Sequence, residues 1–143
     1  MVNETHPPPI ENEAIVSLLH SHGISITAQR TQIAAILLNR RQHLSADQVL
    51  SRLSESGAAV SKATVYNTLG LFAERGIVRQ VIVDPTKVFY DSNIEAHHHF
   101  FNVDDGSLID VDALEVPIEQ LPKPPPGTAA EAVDIVIRIR NSR

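Results

Sequence analysis

Three histidines stand in a row at His97-His98-His99, followed by Phe100 and Phe101. Imidazole nitrogen binds borderline transition metals without help from a thiolate. In an extended chain successive side chains alternate between faces. His97 and His99 then point one way and can share an ion, and His98 points the other way. The same triplet also fits a solvent-exposed polar loop. Two further donors, His43 and Asp91, lie far off in the chain, one ahead of an expected helix and one just after an expected hairpin. An ion held by His43, Asp91, His97 and His99 would link the two halves of the chain and set the angle between them. The acids Glu95, Asp104, Asp105, Asp110, Asp112 and Glu115 fit a second, oxygen-rich site or plain solubility, and solubility is the favoured reading for most of them.

A second group with chemistry is Lys62, Thr64, Tyr66 and Asn67. These are polar side chains near the start of an expected helix, the arrangement needed to enter a DNA major groove. Arg30 and Lys87 are placed to hold the phosphate backbone. A solvated polar face on a helical bundle accounts for the same pattern. Charge leans toward DNA. Residues 24–91 hold eight cations against five acids, whereas residues 92–143 hold four against nine, within an overall net charge of −5.

The elements that must position these groups are legible from periodicity and caps. Ile15, Leu18, Leu19 and His22 recur at helical spacing up to Gly23. Thr27 caps a second helix with Ile33, Ile36 and Leu37 inward. Ser45, with Gln48 three residues on, opens a third over Ala46, Val49, Leu50 and Leu53, and Gly57 closes it. Ser61 caps a fourth, whose Val65, Leu69 and Phe72 face inward, and Gly76 ends it. Ile77–Val83 and Val88–Tyr90 around Asp84-Pro85 read as a hairpin. This order is that of a winged helix-turn-helix. After Asp91, residues 100–103 and 108–111 read as a second hairpin and Ala113–Leu121 as a short helix limited by Pro117. Val133, Ile135, Ile137 and Ile139 form one apolar face of a strand. The expected class is α+β: a lead-in over 1–12, with Pro7-Pro8-Pro9, a winged-helix DNA-binding domain over 13–91, and a small α/β dimerisation and metal-sensing domain over 92–143.

Composition bounds the rest. The 143 residues include no Cys and no Trp, with 43% hydrophobic and 4% aromatic residues. Disulfides, thiolate zinc sites and cysteine nucleophiles are excluded. So small a core favours a subunit interface. No apolar run nears the roughly 18 residues of a membrane span, and no secretory signal opens the chain, so a cytoplasmic protein is expected. No G-x-S-x-G elbow, phosphate loop or H-E-x-x-H occurs. An enzyme is therefore not expected. A small metalloenzyme built on the histidines stays as one alternative, and a regulator with no metal effector as the other.

Thr27-Ala28-Gln29-Arg30, His43-Leu44-Ser45-Ala46-Asp47, Ala63-Thr64-Val65-Tyr66-Asn67-Thr68-Leu69, Gly76-Ile77-Val78 and His97-His98-His99 follow the order and spacing of the ferric uptake regulator family. The resemblance covers about residues 13–140, and the triple histidine is most similar to the iron response regulators of α-proteobacteria. It implies a homodimeric winged-helix regulator, mainly a repressor, acting on iron and haem genes through an AT-rich inverted repeat in double-stranded DNA. It makes Tyr66 the recognition-helix tyrosine, Arg30 a backbone contact, and His43, His97 and His99 ligands of the regulatory ion. The carboxylate ligand falls at Tyr90 or Asp91, and Asp91 has the chemistry. The subfamily adds haem as an effector sensed by the domain over 92–143, with His97, His98 or His99 as axial ligands, and a second metal site of the family would have to draw on His98 with acids such as Glu115. The chain departs from the family in lacking its paired zinc cysteines and in placing Val133 where many members have a histidine.

Overall fold

The structure, a computed structural model, describes residues 12–142. The Pro7-Pro8-Pro9 lead-in lies outside the described residues. The expected α+β class is met, with four helices and two small sheets among the described residues. They form two compact units, one running to Ile94 and one starting at Glu95.

The first unit holds helices α1 (Asn12–Ser21), α2 (Ala28–Leu38), α3 (Ala46–Glu55) and α4 (Lys62–Glu74). Each of α2, α3 and α4 starts at a hydroxyl cap. Thr27 Oγ1 accepts the Arg30 N–H, and Ser61 Oγ accepts the Thr64 N–H, each at 3.1 Å. At α3 the cap is reciprocal: Ser45 Oγ accepts the Gln48 N–H at 3.2 Å, and Gln48 Oε1 accepts the Ser45 N–H at 2.9 Å. These bonds satisfy donors that a helix start leaves without partners. Ser45→Ala is expected to cost about 1 kcal/mol, read as a lower urea midpoint at unchanged slope. A midpoint equal to wild type counts against the cap.

The inward faces meet in one core. Ile15, Leu19, Ile33, Leu37, Val49, Leu53, Val65, Leu69 and Phe72 are all essentially inaccessible to solvent. Gly76 ends α4 at φ 79°, a left-handed conformation that side chains with a Cβ avoid, and Ile77 N–H then returns to Phe72 C=O at 2.9 Å. Strands β2 (Arg79–Asp84) and β3 (Lys87–Asp91) form the hairpin. Asp84 Oδ1 accepts both the N–H and the hydroxyl of Thr86, which closes its turn. A further strand, β1 (His43–Ser45), was not anticipated. It pairs antiparallel with β3, giving the order β1-β3-β2 and setting His43 opposite Asp91.

The second unit is a three-stranded sheet of β4 (His97–Asn102), β5 (Leu108–Asp112) and β6 (Val136–Ile139), in the order β5-β4-β6. The β4–β5 pair is antiparallel, and β6 lies parallel to β4. Several details differ from the sequence reading. The histidines lie within β4 instead of ahead of it. Ala113–Leu121 forms two short 3₁₀ turns, Ala113–Glu115 and Ile118–Gln120, divided by Pro117, which cannot donate a helical bond. Ladder pairing in β6 begins at Val136 instead of Val133, and Ile137 stays 42% exposed. Its apolar face is therefore not fully covered. Among the described residues this unit buries few apolar groups, chiefly Phe101, Leu108 and Val111, beside the polar His97, His98, His99 and Asn102. Phe100 of β4 lies between Ile109 and Ile137, making an apolar row across the sheet whose two end residues are 48% and 42% exposed.

Candidate metal centre and nucleic-acid face

Strand alternation puts His97 and His99 on one face of β4. Both side chains are buried, and their rings meet edge to face with centroids 4.6 Å apart. Register with β5 adds a carboxylate, because Asp110 is the direct partner of His99. Asp110 Oδ1 lies 3.4 Å from His99 Nε2 and 3.8 Å from His97 Nε2. One donor atom from each of the three falls within 4.8 Å of the others. His97 Nδ1 is 2.6 Å from the Glu95 carbonyl oxygen. A carbonyl only accepts, so Nδ1 carries the proton there. In the neutral ring the Nε2 lone pair is then the one turned toward Asp110. A carbonyl backing the far nitrogen is the usual support of a metal-binding histidine. Two imidazole nitrogens and a carboxylate oxygen suit a divalent ion such as iron, manganese or zinc, so these residues fit an ion.

His98 faces the other way. Its Nδ1 accepts the Ile135 N–H at 3.1 Å, while the Ile135 carbonyl accepts the His99 N–H at 3.1 Å. Both polar groups of Ile135 are thereby fastened to β4, just ahead of β6. His98 is 3% exposed, and Glu115 lies exposed on a 3₁₀ turn.

In the first unit, His43 is half-buried, edge-on to the Phe89 ring at 6.2 Å. Asp91 is 1% exposed, and its Oδ1 accepts the Asn93 N–H at 2.9 Å. Tyr90 packs into the first unit's core, and burial pushes its phenol pKa up, which disfavours the anionic form a hard ligand would need.

Two of the other acids, Asp105 and Asp112, close local turns, and Asp104 bonds across to the residues after β6. Asp105 Oδ1 accepts the hydroxyl and the N–H of Ser107, which hold its exposed carboxyl below the usual range. Asp104 receives the Asn141 N–H, and Asp112 caps Leu114 N–H. Asp110 is a candidate donor to the histidine pair, one of the acids that the sequence reading divided between a second oxygen-rich site and solubility without linking it to His97 and His99. Its signal was available: once the turn at Asp104–Gly106 is drawn, antiparallel register brings residue 110 opposite residue 99.

The outer face of α4 carries Lys62, Tyr66 and Asn67, all exposed. Lys62 Nζ lies 5.8 Å from the centre of the Tyr66 ring and 3.8 Å from Asp47 Oδ1. Thr64 is half-buried, and its Oγ1 accepts the Ser61 hydroxyl at 2.9 Å, so it serves the cap. Arg30 reaches back to the Ser25 carbonyl at 2.8 Å, and Lys87 is exposed beside the β2–β3 turn.

A model of the ferric uptake regulator family matches residues 21–124. The peroxide-responsive repressor PerR of Staphylococcus aureus strain Mu50 is 32% identical over 100 residues, which cover 70% of this chain and 68% of that protein. The ferric uptake regulator of Pseudomonas aeruginosa, solved with manganese, superposes with a TM-score of 0.68 at 28% identity over 90% of this chain and 98% of that one. The Francisella tularensis regulator, solved with iron, gives 0.71 at 27% identity over 83% and 92%. These relatives are regulators, not enzymes. The chain belongs to the ferric uptake regulator family.

Proposed function

We propose that this protein is a metal-responsive transcription regulator that binds double-stranded DNA as a homodimer in the cytoplasm. In this reading residues 13–91 read DNA, and residues 92–143 pair two copies and hold the ion. The observation that carries it is the buried His97–His99 pair with Asp110 opposite, its His97 tautomer set by the Glu95 carbonyl, in a chain of this family. The proposed ligands are His97, His99 and Asp110, with His43 and Asp91 contributed by the first unit as the family resemblance implies. The proposed ion is iron or manganese, following the relatives solved with those metals. When bound, the ion would supply positive charge and a fixed geometry to these donors. The apolar row Ile109–Phe100–Ile137 is the proposed seat of the second copy.

Lys62, Tyr66 and Asn67 are assigned to base edges, Thr64 to the helix start, and Arg30 and Lys87 to phosphates. Tyr66→Ala is expected to weaken binding to an AT-rich inverted repeat about tenfold, within the range of one lost base contact, with an unchanged thermal midpoint. Log affinity is expected to fall linearly with log salt, because phosphate contacts release counterions. Salt-independent binding would sink the DNA reading.

The finer proposal is repression of iron and haem genes, in the manner of the iron response regulators, and the triple histidine supports it. Haem is the second candidate effector. His97, His98 and His99 are each at most 7% exposed, so axial ligation requires them to be uncovered, whereas a bare ion needs no such opening. A haem absorbance titration on wild type and on His97/His98/His99→Ala decides between them. A spectrum the variant leaves unchanged removes the histidines from haem binding.

A further inference from the structure

Gln42 precedes His43 directly, and Ser92 follows Asp91 directly, so each candidate ligand of the first unit has a polar neighbour along the chain. The two neighbours hold each other. Ser92 N–H donates to the Gln42 carbonyl at 2.9 Å, and Ser92 Oγ accepts the Gln42 N–H at 3.0 Å. The Ser92 hydroxyl donates in turn to the Arg40 carbonyl at 3.0 Å, with the Gln42 carbonyl 3.2 Å away. The β1–β3 pair is therefore clamped just beyond His43 and Asp91.

From that clamp the Gln42 side chain reaches two helices. Its Nε2 donates to the carbonyls of Ile36 at 2.9 Å and Leu37 at 3.1 Å, and to Asn39 Oδ1 at 2.9 Å. Ile36 and Leu37 lie in the last turn of α2, where carbonyls have no helical donor. Its Oε1 accepts from Arg52 Nη1 of α3 at 2.9 Å and from Arg40 Nε at 3.3 Å. Turning the amide over would set an NH₂ against two guanidinium groups and an oxygen against two carbonyls, so a single orientation satisfies the site. One half-buried amide thus joins the strand bearing His43 to the end of α2 and to α3. Helix α3 shares the core with α4 through Leu53, Val65 and Leu69.

We propose that Gln42, clamped by Ser92, is the positioning residue through which an ion drawing on His43 and Asp91 moves α2 and α3, and with them the DNA-reading helix. Apolar contacts can absorb a small strand shift by sliding. A saturated set of directional bonds transmits it. The inference rests on the metal-responsive reading above and deepens it.

The test measures operator affinity by fluorescence anisotropy at fixed salt, with and without Mn²⁺, for wild type, Gln42→Leu and Ser92→Ala. Mn²⁺ affinity is measured with and without DNA. Wild type is expected to gain about 5- to 150-fold in DNA affinity from the ion, the usual span of such coupling. Gln42→Leu should bring that ratio close to one, with Mn²⁺ affinity of the free protein within about threefold of wild type. Because coupling is reciprocal, the gain in Mn²⁺ affinity caused by DNA should shrink by the same factor. A residue that only stabilises the fold would lower the thermal midpoint and leave the ratio alone. Ser92→Ala keeps the Gln42 side-chain bonds and is expected to at least halve the ratio, which decides the matter if Gln42→Leu does not fold. Ratios equal to wild type in the folded variants overturn the coupling while the regulator reading stands. A wild-type ratio of one overturns the regulator reading and the coupling with it.

Discussion

Alanine at His99 is expected to lower Mn²⁺ affinity by at least about 100-fold. Outer partners of a metal ligand are typically worth about 10- to 100-fold, and His99 sits inside that shell, 3.4 Å from Asp110 and edge to face with His97. The change also strips the ion's effect on operator affinity. His98→Ala is the matched control one residue away. It leaves the ion-facing side intact and loses the bond to Ile135 N–H. It should cost about 1–2 kcal/mol of stability, as an orphaned backbone donor does, with Mn²⁺ affinity near wild type. Calorimetric titration of both variants separates the two faces of β4. A His99→Ala affinity within tenfold of wild type would falsify the ligand assignment. Equal losses in both variants would mean that the strand, not one face of it, holds the ion.

Phe72→Ala is the second large effect, and it works through packing alone. Phe72 is fully buried beside Leu69 and Val65 on the inner side of α4. Truncating a buried Phe costs about 3–5 kcal/mol. A small domain has only about 5–15 kcal/mol in total, so the first unit is expected to lose a large share of its stability while remaining mostly folded at room temperature unless it starts at the low end of that range. Urea unfolding followed by circular dichroism measures this. A loss under about 1 kcal/mol would mean that the core repacks and is less specified than its burial indicates. The contrast with Tyr66→Ala is informative, since both lie on α4. One is expected to lower the unfolding midpoint of the reader, and the other to weaken DNA binding with the midpoint unchanged.

What the sequence disclosed was the part governed by neighbours in the chain. Thr27, Ser45 and Ser61 cap helices through bonds three residues long, and Val65, Leu69 and Phe72 follow the helix period, so both are readable one segment at a time. What it hid depends on distant partners. Strand β1 is three residues long and exists because Asp91, Tyr90 and Phe89 lie alongside it. Its residues show no period of their own, and the strong cap at Ser45 drew attention to the helix. Asp110 looked like its acidic neighbours until cross-strand register singled it out. Asp105 and Asp112, with the same side chain, spend their oxygens on turns. The alternation from Val133 to Ile139 announced a strand correctly but did not say that its ladder is parallel or that it begins at Val136. In the helix expected over Ala113–Leu121, Pro117 outweighed the apolar spacing. Gln42 carried no sequence signal, because its partners come from α2, α3 and the loop after β3.

The apolar row Ile109–Phe100–Ile137 has a consequence for dosage. If a second copy must cover it before two reading helices can meet an inverted repeat, occupancy of the operator depends on the square of protein concentration when the protein is scarce. A cell making half as much would then lose up to three quarters of its operator-competent pairs at the same ion level. Expression level becomes an input to the switch, alongside the metal.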